Sequence, residues 1–335
     1  MFDARALIDF AKATLSEAGL PDEPAASVAR GLVEADLLGH TTHGLALLPD
    51  YVEEIAEGRM ESDGRPSVVH ERGAAATWDA RRLPGIWTTQ LAIEAAVERA
   101  RRLGLGAIAL KRSHHIACLA AFLEEPARQG IAVLVFSSDP GESKVAPFGG
   151  VTPVLMPDPI MIDISTSITT MGLTNRTKRE GGKLPGRWLL SADGQATDDP
   201  NVVGAGGTLL PVGGLDHGHK GFGLGLLVEM LTQGLSGYGR ADGPSEWGAS
   251  VLVLAIDPEA FGGGAVFLRQ SGFIAQACRD AKPLVKDAPV RLPGAAGLAR
   301  KRRALAEGVA LSREIVSSLT ELSRRLSIAM PAEGS

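Results

Sequence analysis

"TTQLAIEAAVERARRLGLGAIAL", residues 88–110, changes its periodicity part-way, and that change decides the fold. Up to Leu103 the apolar residues recur every three to four positions, the spacing of one helix face. Thr88 is the expected cap, and Gly104, free to adopt a left-handed conformation, is the expected stop. Immediately afterwards "GAIAL", 106–110, is a short unbroken apolar run, the pattern of a strand covered on both faces. "IAVLVFS" (131–137), "PIMIDIS" (159–165) and "SVLVLAI" (250–256) share that texture and are bounded by turn-forming residues. Helical segments lie between several of them, so the chain predicts an α/β sheet region over roughly 70–290.

Outward from this unit the pattern is helical. Apolar residues keep helical spacing over 2–18 and 24–38, with Pro21 and Pro24 suited to a helix start, and a third helix is expected from about Leu45. "GRMESDGRP", 58–66, reads as the loop that ends it, and another helix is expected near 303–326. The expected division is an N-terminal helical region, 1–70, joined by the C-terminal helix, 298–330, and an α/β region, 71–297. A chain of 335 residues with 44% hydrophobic content can bury a large core. A net charge of -5 argues against a nucleic-acid binder, and the basic cluster "LARKRRAL", 298–305, reads as a solvated helix face. Cys118 and Cys278 stand alone among small or apolar residues, which suits a reducing compartment. No signal-peptide pattern opens the chain, and its apolar runs break before the ~20 residues a membrane span needs. The expectation is a cytoplasmic protein with no membrane association.

Four stretches could carry chemistry. In "GHTTHG", 39–44, His43 lies at a helix-to-helix corner with the Thr42 hydroxyl beside it, a pair suited to proton transfer, although Thr41 or Thr42 could equally cap the next helix. In "RSHHIA", 112–117, Ser113, His114 and His115 follow a strand, where α/β proteins collect functional groups. Neither histidine pair has the i, i+4 spacing or the Cys and Glu company of zinc motifs, so no metal is expected. "DISTSITTMGLTNR", 163–176, offers hydroxyls for phosphate or sugar oxygens, or a loop rich in caps. "LLPVGGLDHGHKGFGLGLL", 209–227, is a glycine-rich start to an apolar helix that carries Lys220. A Rossmann G-x-G-x-x-G between strand and helix is missing, so a nucleotide cofactor would require another architecture.

In this order, "GHTTHG", Tyr51, "RSHHIA", "VAPFGG", "IDISTS", "GQATDDP", "LLPVGG", "GHKGFGL" and "FGG" resemble the type-2 malate/L-lactate dehydrogenase family across nearly the whole chain. The family includes ureidoglycolate and sulfolactate dehydrogenases and a cyclic ketimine reductase. The resemblance implies a non-Rossmann mixed-sheet α/β fold, a homodimer, and NAD (NADP being possible) bound near the subunit interface. It implies hydride transfer between nicotinamide and C2 of a 2-hydroxy or 2-oxo acid, a small-molecule substrate. Carried over by position, His43 is the acid/base with Thr42 as its hydroxyl partner, and His115 orients the substrate or serves as the alternative base. Ser137 and Ser138 fall on the nicotinamide side. Asp163, Ile164, Ser165, Thr166 and Ser167 match the cofactor segment, and Lys220 matches the family lysine. His217 and His219 receive no role.

Two departures stand out. Where the family often carries a carboxylate-binding arginine, this chain has Leu47, so either a substitute anchor, Arg112 or Arg176, or a less polar substrate is expected. The segment between "PFGG" and "IDIS" is also shorter than in the family by roughly a dozen residues, a change that surface loops tolerate. Beside the favoured dehydrogenase reading stand a cyclic ketimine reductase and a catalytically silent, ligand-binding paralogue.

Overall fold

The computed structural model describes residues 1–160, 164–286 and 288–334. The chain opens with helices α1 (Ala4–Glu17) and α2 (Asp22–Leu38), a 3-10 turn at Leu45–Leu47 and α3 (Leu48–Ala56). Strands β1 (Ser67–Arg72) and β2 (Ala75–Asp79) follow, then α4 (Gly85–Leu103), β3 (Leu105–Ser113), α5 (Glu124–Arg128) and β4 (Ala132–Ser138). Next come the two-residue strands β5 (Pro159–Ile160) and β6 (Ile164–Ser165), helix α6 (Met171–Arg179), and strands β7 (Leu189–Leu190), β8 (Ala196–Thr197) and β9 (Thr208–Leu209). Helix α7 (Gly214–Glu229) runs into a π-helical turn at Met230–Gly234. After it come β10 (Ala249–Ile256), α8 (Gly264–Asp280), α9 (Ala295–Glu307) and α10 (Arg313–Leu326).

The main sheet has seven strands in the order β1-β2-β3-β10-β4-β5-β6. Among the described residues of this sheet only β2 and β3 run parallel, joined by the crossover helix α4; the other pairings are antiparallel. Strand alternation distributes side chains to both sides. Ile108, Leu110, Val251 and Val253 enter the large core shared with α4 and the N-terminal helices, whereas Ala109 and Leu252 meet Phe136 and Val228 on the opposite face. Two covered faces explain why these strands read as continuous apolar runs. A separate three-stranded sheet, β8-β7-β9, has its own small core around Val145, Leu155, Leu184, Leu189 and Leu209.

Several expectations shift. Helix α4 starts three residues before Thr88, with Pro84 at its cap position, and both Thr88 and Thr89 are buried inside it. Proline's fixed φ begins the helix without a side-chain cap, whereas Gly104 does stop it at φ 83°. The C-terminal helix is two helices, separated where Gly308 takes φ 95°. The basic cluster is not simply a solvated face: Lys301 bridges Glu34 and Glu124 at 2.6 Å each, and Arg300 donates to the Leu38 carbonyl, fastening α9 onto α2. No helix among the described residues is long and apolar enough to cross a membrane.

Candidate active site

The "GHTTHG" corner is built from the end of α2. Gly39 terminates that helix at φ 90°, and buried Asp36 in its last turn accepts the Leu45 amide at 2.7 Å. The chain is thereby folded back over the helix end. A Cβ on Gly44 would fall 2.3 Å from the Asp36 carboxyl carbon, so the corner closes this tightly only because Gly44 has no side chain. Burial raises Asp36 to about 7, the Leu45 amide opposing the shift. Thr42 Oγ1 then lies 2.9 Å from Nδ1 of His43.

The second histidine stretch leaves β3 between two residues held in the left-handed region, Arg112 at φ 51° and Ala117 at φ 56°. Its two histidines diverge. His114 is 0% exposed, with Nε2 3.0 Å from Glu54, and burial lowers it to about 4. His115 joins the site: its ring stacks on Trp247 with centroids 4.5 Å apart, and the His43 ring centroid is 6.1 Å away. The Tyr51 hydroxyl lies 3.0 Å from His115 Nδ1 and donates to the His115 carbonyl at 3.3 Å. Burial holds that phenol well above its ordinary range, so it keeps its one hydrogen. Satisfying both contacts assigns the Nδ1–H tautomer to His115 and leaves Nε2 with its lone pair. Burial, and then the positive charge His43 can carry, push His115 far below the ordinary histidine range, so its ring is neutral at pH 7.

His43, Thr42 and His115 line one cavity of about 360 Å³, together with Ser137, Ser138 and Ser165. Ser138 Oγ is 2.6 Å from the Thr232 hydroxyl and accepts from Gln233, and Ser165 Oγ is 2.7 Å from that of Ser167. Thr166 and Ser167 are buried behind this wall, whereas Ile164 is exposed. Asp163 lies outside the described residues. Lys220, on the exposed side of α7, does not reach this cavity. Neither do the two substitute arginines. Arg112 is held by the Asp79 carboxylate and borders a smaller cavity of about 160 Å³, and Arg176 is exposed near the end of α6. Leu47 packs against the main core.

The sequence reading assigned no role to several lining groups. Trp247 stands alone in a polar loop just before β10, and Asp139 follows directly on β4, a strand-end position that invited notice. Asp158, between Pro157 and Pro159, and His40 also line the cavity. Thr170 caps α6 by accepting the Leu173 amide, so that helix's N-terminus, with Met171 and Gly172, faces the same space. Among the described residues, no group of three or more His, Cys, Asp or Glu is placed to hold a metal ion.

Residues 2–320 match the malate/L-lactate dehydrogenase family, and the chain belongs to it. It is a dehydrogenase of the hydroxyacid type. A (2R)-3-sulfolactate dehydrogenase (NADP(+)) of Chromohalobacter salexigens is 32% identical, the alignment covering 95% of this chain and 97% of that protein. A Delta(1)-pyrroline-2-carboxylate reductase of Ancylobacter novellus is 30% identical over 93% of this chain and 94% of its own length. The crystal structure of malate dehydrogenase from Entamoeba histolytica shares the fold, with a TM-score of 0.92, 22% identity, and coverage of 98% of this chain and 99% of that one.

Proposed function

We propose that this protein is an NAD(P)-dependent oxidoreductase acting on C2 of a 2-hydroxy or 2-oxo acid, with His43 as the proton-transfer residue. The observation that carries the reading is the convergence of two histidines from distant parts of the chain, each with a hydroxyl partner at Nδ1, on one cavity. The hydroxyls of Ser137, Ser138 and Ser165 on its wall fit the amide and ribose of a nicotinamide nucleotide, and Gly172 and Gly248 keep that wall free of side chains. When bound, the reduced cofactor supplies a hydride to C2.

The protein's own part is to position the acid and move one proton. Beyond the Leu173 amide, which Thr170 holds, the first turn of α6 presents the Met171 and Gly172 amides at the positive end of its dipole, and these receive the substrate carboxylate in a cavity that no arginine of the described residues lines. Reduction of a carbonyl requires a proton at the resulting alkoxide. His115, neutral and with a lone pair on Nε2, cannot donate from that atom. His43, its Nδ1 2.9 Å from the Thr42 hydroxyl, is therefore the donor to the substrate oxygen; in the oxidative direction it takes the proton back.

A homodimer is part of this reading. Helix α8 has no buried residue and presents Phe267, Phe273 and Ile274 to solvent, an apolar face that a second copy of the chain would cover. Location in the cytoplasm accords with a chain of only two cysteines, too few and too far apart in sequence for a disulfide framework. NADH and NADPH oxidation against a panel of 2-oxo acids, plus a cyclic imine, tests the function. The expected result is turnover with one of the two cofactors that drops about 10²–10⁴-fold in His43→Asn, while cofactor binding survives. Failure of the purified protein to bind either cofactor would overturn it.

A further inference from the structure

Asp158 is 1% exposed, lines the cavity, and among the described residues finds no hydrogen-bond donor for either carboxyl oxygen. A carboxyl buried there carries a desolvation penalty; in the free protein a proton held between Asp158 and the Glu229 carboxylate answers it, and an incoming cation would take the place of that proton. The surroundings of Asp158 favour such a cation. Asp139 lines the same wall, with one oxygen occupied by the Gly141 amide, and burial raises it to about 6. Burial, followed by the nearby Glu229 charge, raises Asp158 well above the carboxylate range. The cation of this neighbourhood, Arg240, is already committed: Nε and Nη2 hold Glu229, and Nη1 donates to the Glu142 carbonyl and Ser143. No Lys or Arg is among the described residues lining the cavity.

Three carboxyls against one engaged guanidinium make this end of the cavity hostile to a second anion. An arriving cation would favour ionisation of Asp158 and pair with it, the proton leaving to solvent. We propose that Asp158, supported by Asp139, is a specificity determinant that selects 2-oxo acids whose far end carries a cationic or multiply hydrogen-bond-donating group. By the same token it disfavours a second carboxylate or a sulfonate. This inference rests on the hydroxyacid reading above and names the substrate class for that site.

The test compares 5-guanidino-2-oxopentanoate, 2-oxohexanoate and 2-oxoglutarate, which are cationic, neutral and anionic at the far end, on the parent protein, Asp158→Asn and Asp139→Asn. Melting curves establish that the near-isosteric variants fold, and calorimetric binding of the matching 2-hydroxy acids runs alongside. The guanidino acid is expected to exceed the dicarboxylate in kcat/KM by at least about tenfold. In Asp158→Asn it is expected to lose about ten- to a hundredfold through KM, with the neutral acid little changed and the dicarboxylate improved. Preference for the dicarboxylate, or an equal loss for all three acids, would overturn the proposal. A rise in the KM for NADH alone would also overturn it, since Asp158 would then serve the cofactor. If none of the three is turned over but the 2-hydroxy acids bind in the expected order, the wall is as described and the reaction assignment has failed.

Discussion

At the scale of single residues, the site depends on buried groups that fix the two histidines from behind. Tyr51 is the clearest: its hydroxyl sets the His115 tautomer, so Tyr51→Phe removes that constraint while retaining the ring that packs against Trp247. A loss of about tenfold in kcat/KM, with a changed pH profile and an unchanged melting temperature within a few degrees, is expected. An unaltered pH profile would mean that the phenol only packs. Asp36 makes a stability prediction. Its carboxyl ionises near 3.8 ordinarily and at about 7 in the fold, so the folded protein holds a proton that the unfolded chain releases across that window. The associated stability is complete below the lower value and is lost as pH rises through the upper one, by about 4 kcal/mol in total. Asp36→Asn, neutral at every pH, should gain on the parent in denaturant melts between about pH 4 and pH 8; parallel curves would show that Asp36 is ionised in the fold without penalty.

At the scale of elements, what matters is how closely helix ends approach strand ends. The first turn of α4 passes so near the end of β3 that a Cβ on Gly85 would lie 2.0 Å from the His114 carbonyl oxygen and 2.5 Å from that of His115. Backbone has to move to admit it. Gly85→Ala is therefore expected to destabilise the protein by about 1–3 kcal/mol and to lower activity by displacing His115, read as a drop in both melting temperature and kcat. Retained kcat would show that the site does not depend on this contact. The same junction explains which parts of these elements were legible from sequence. Helix α4 and strands β3, β4 and β10 follow from periodicity and turn residues, but the start of α4 does not, because packing against β3 and the rigid φ of Pro84 override the capping preference of Thr88.

At the scale of the whole molecule, the exposed faces of α7 and α8 are the feature left open by a single chain. Light scattering is expected to return twice the 34.9 kDa chain mass, and Phe273→Glu, at a position 71% exposed, is expected to shift it toward the monomer without unfolding the chain. A monomeric parent protein would remove the homodimer from the proposed function.

The sequence by itself determined the α/β class, the membership implied by its ordered motifs, and the pairing of Thr42 with His43, since adjacent residues on one tight turn cannot be far apart. It also brought His43 and His115 forward as candidates, because histidines beside hydroxyls at an element's end suit proton transfer. Only the tertiary structure decided that the two share a cavity while His114 turns into the core, that Arg112 is occupied by Asp79, and that Lys220 and Arg176 stand outside. It alone disclosed the acidic wall of Asp139 and Asp158. The physical reason is range: periodicity and capping act over a few residues, whereas the burial, pairing and tautomer of a side chain are set by groups as remote in sequence as Tyr51 from His115 and Glu229 from Asp158.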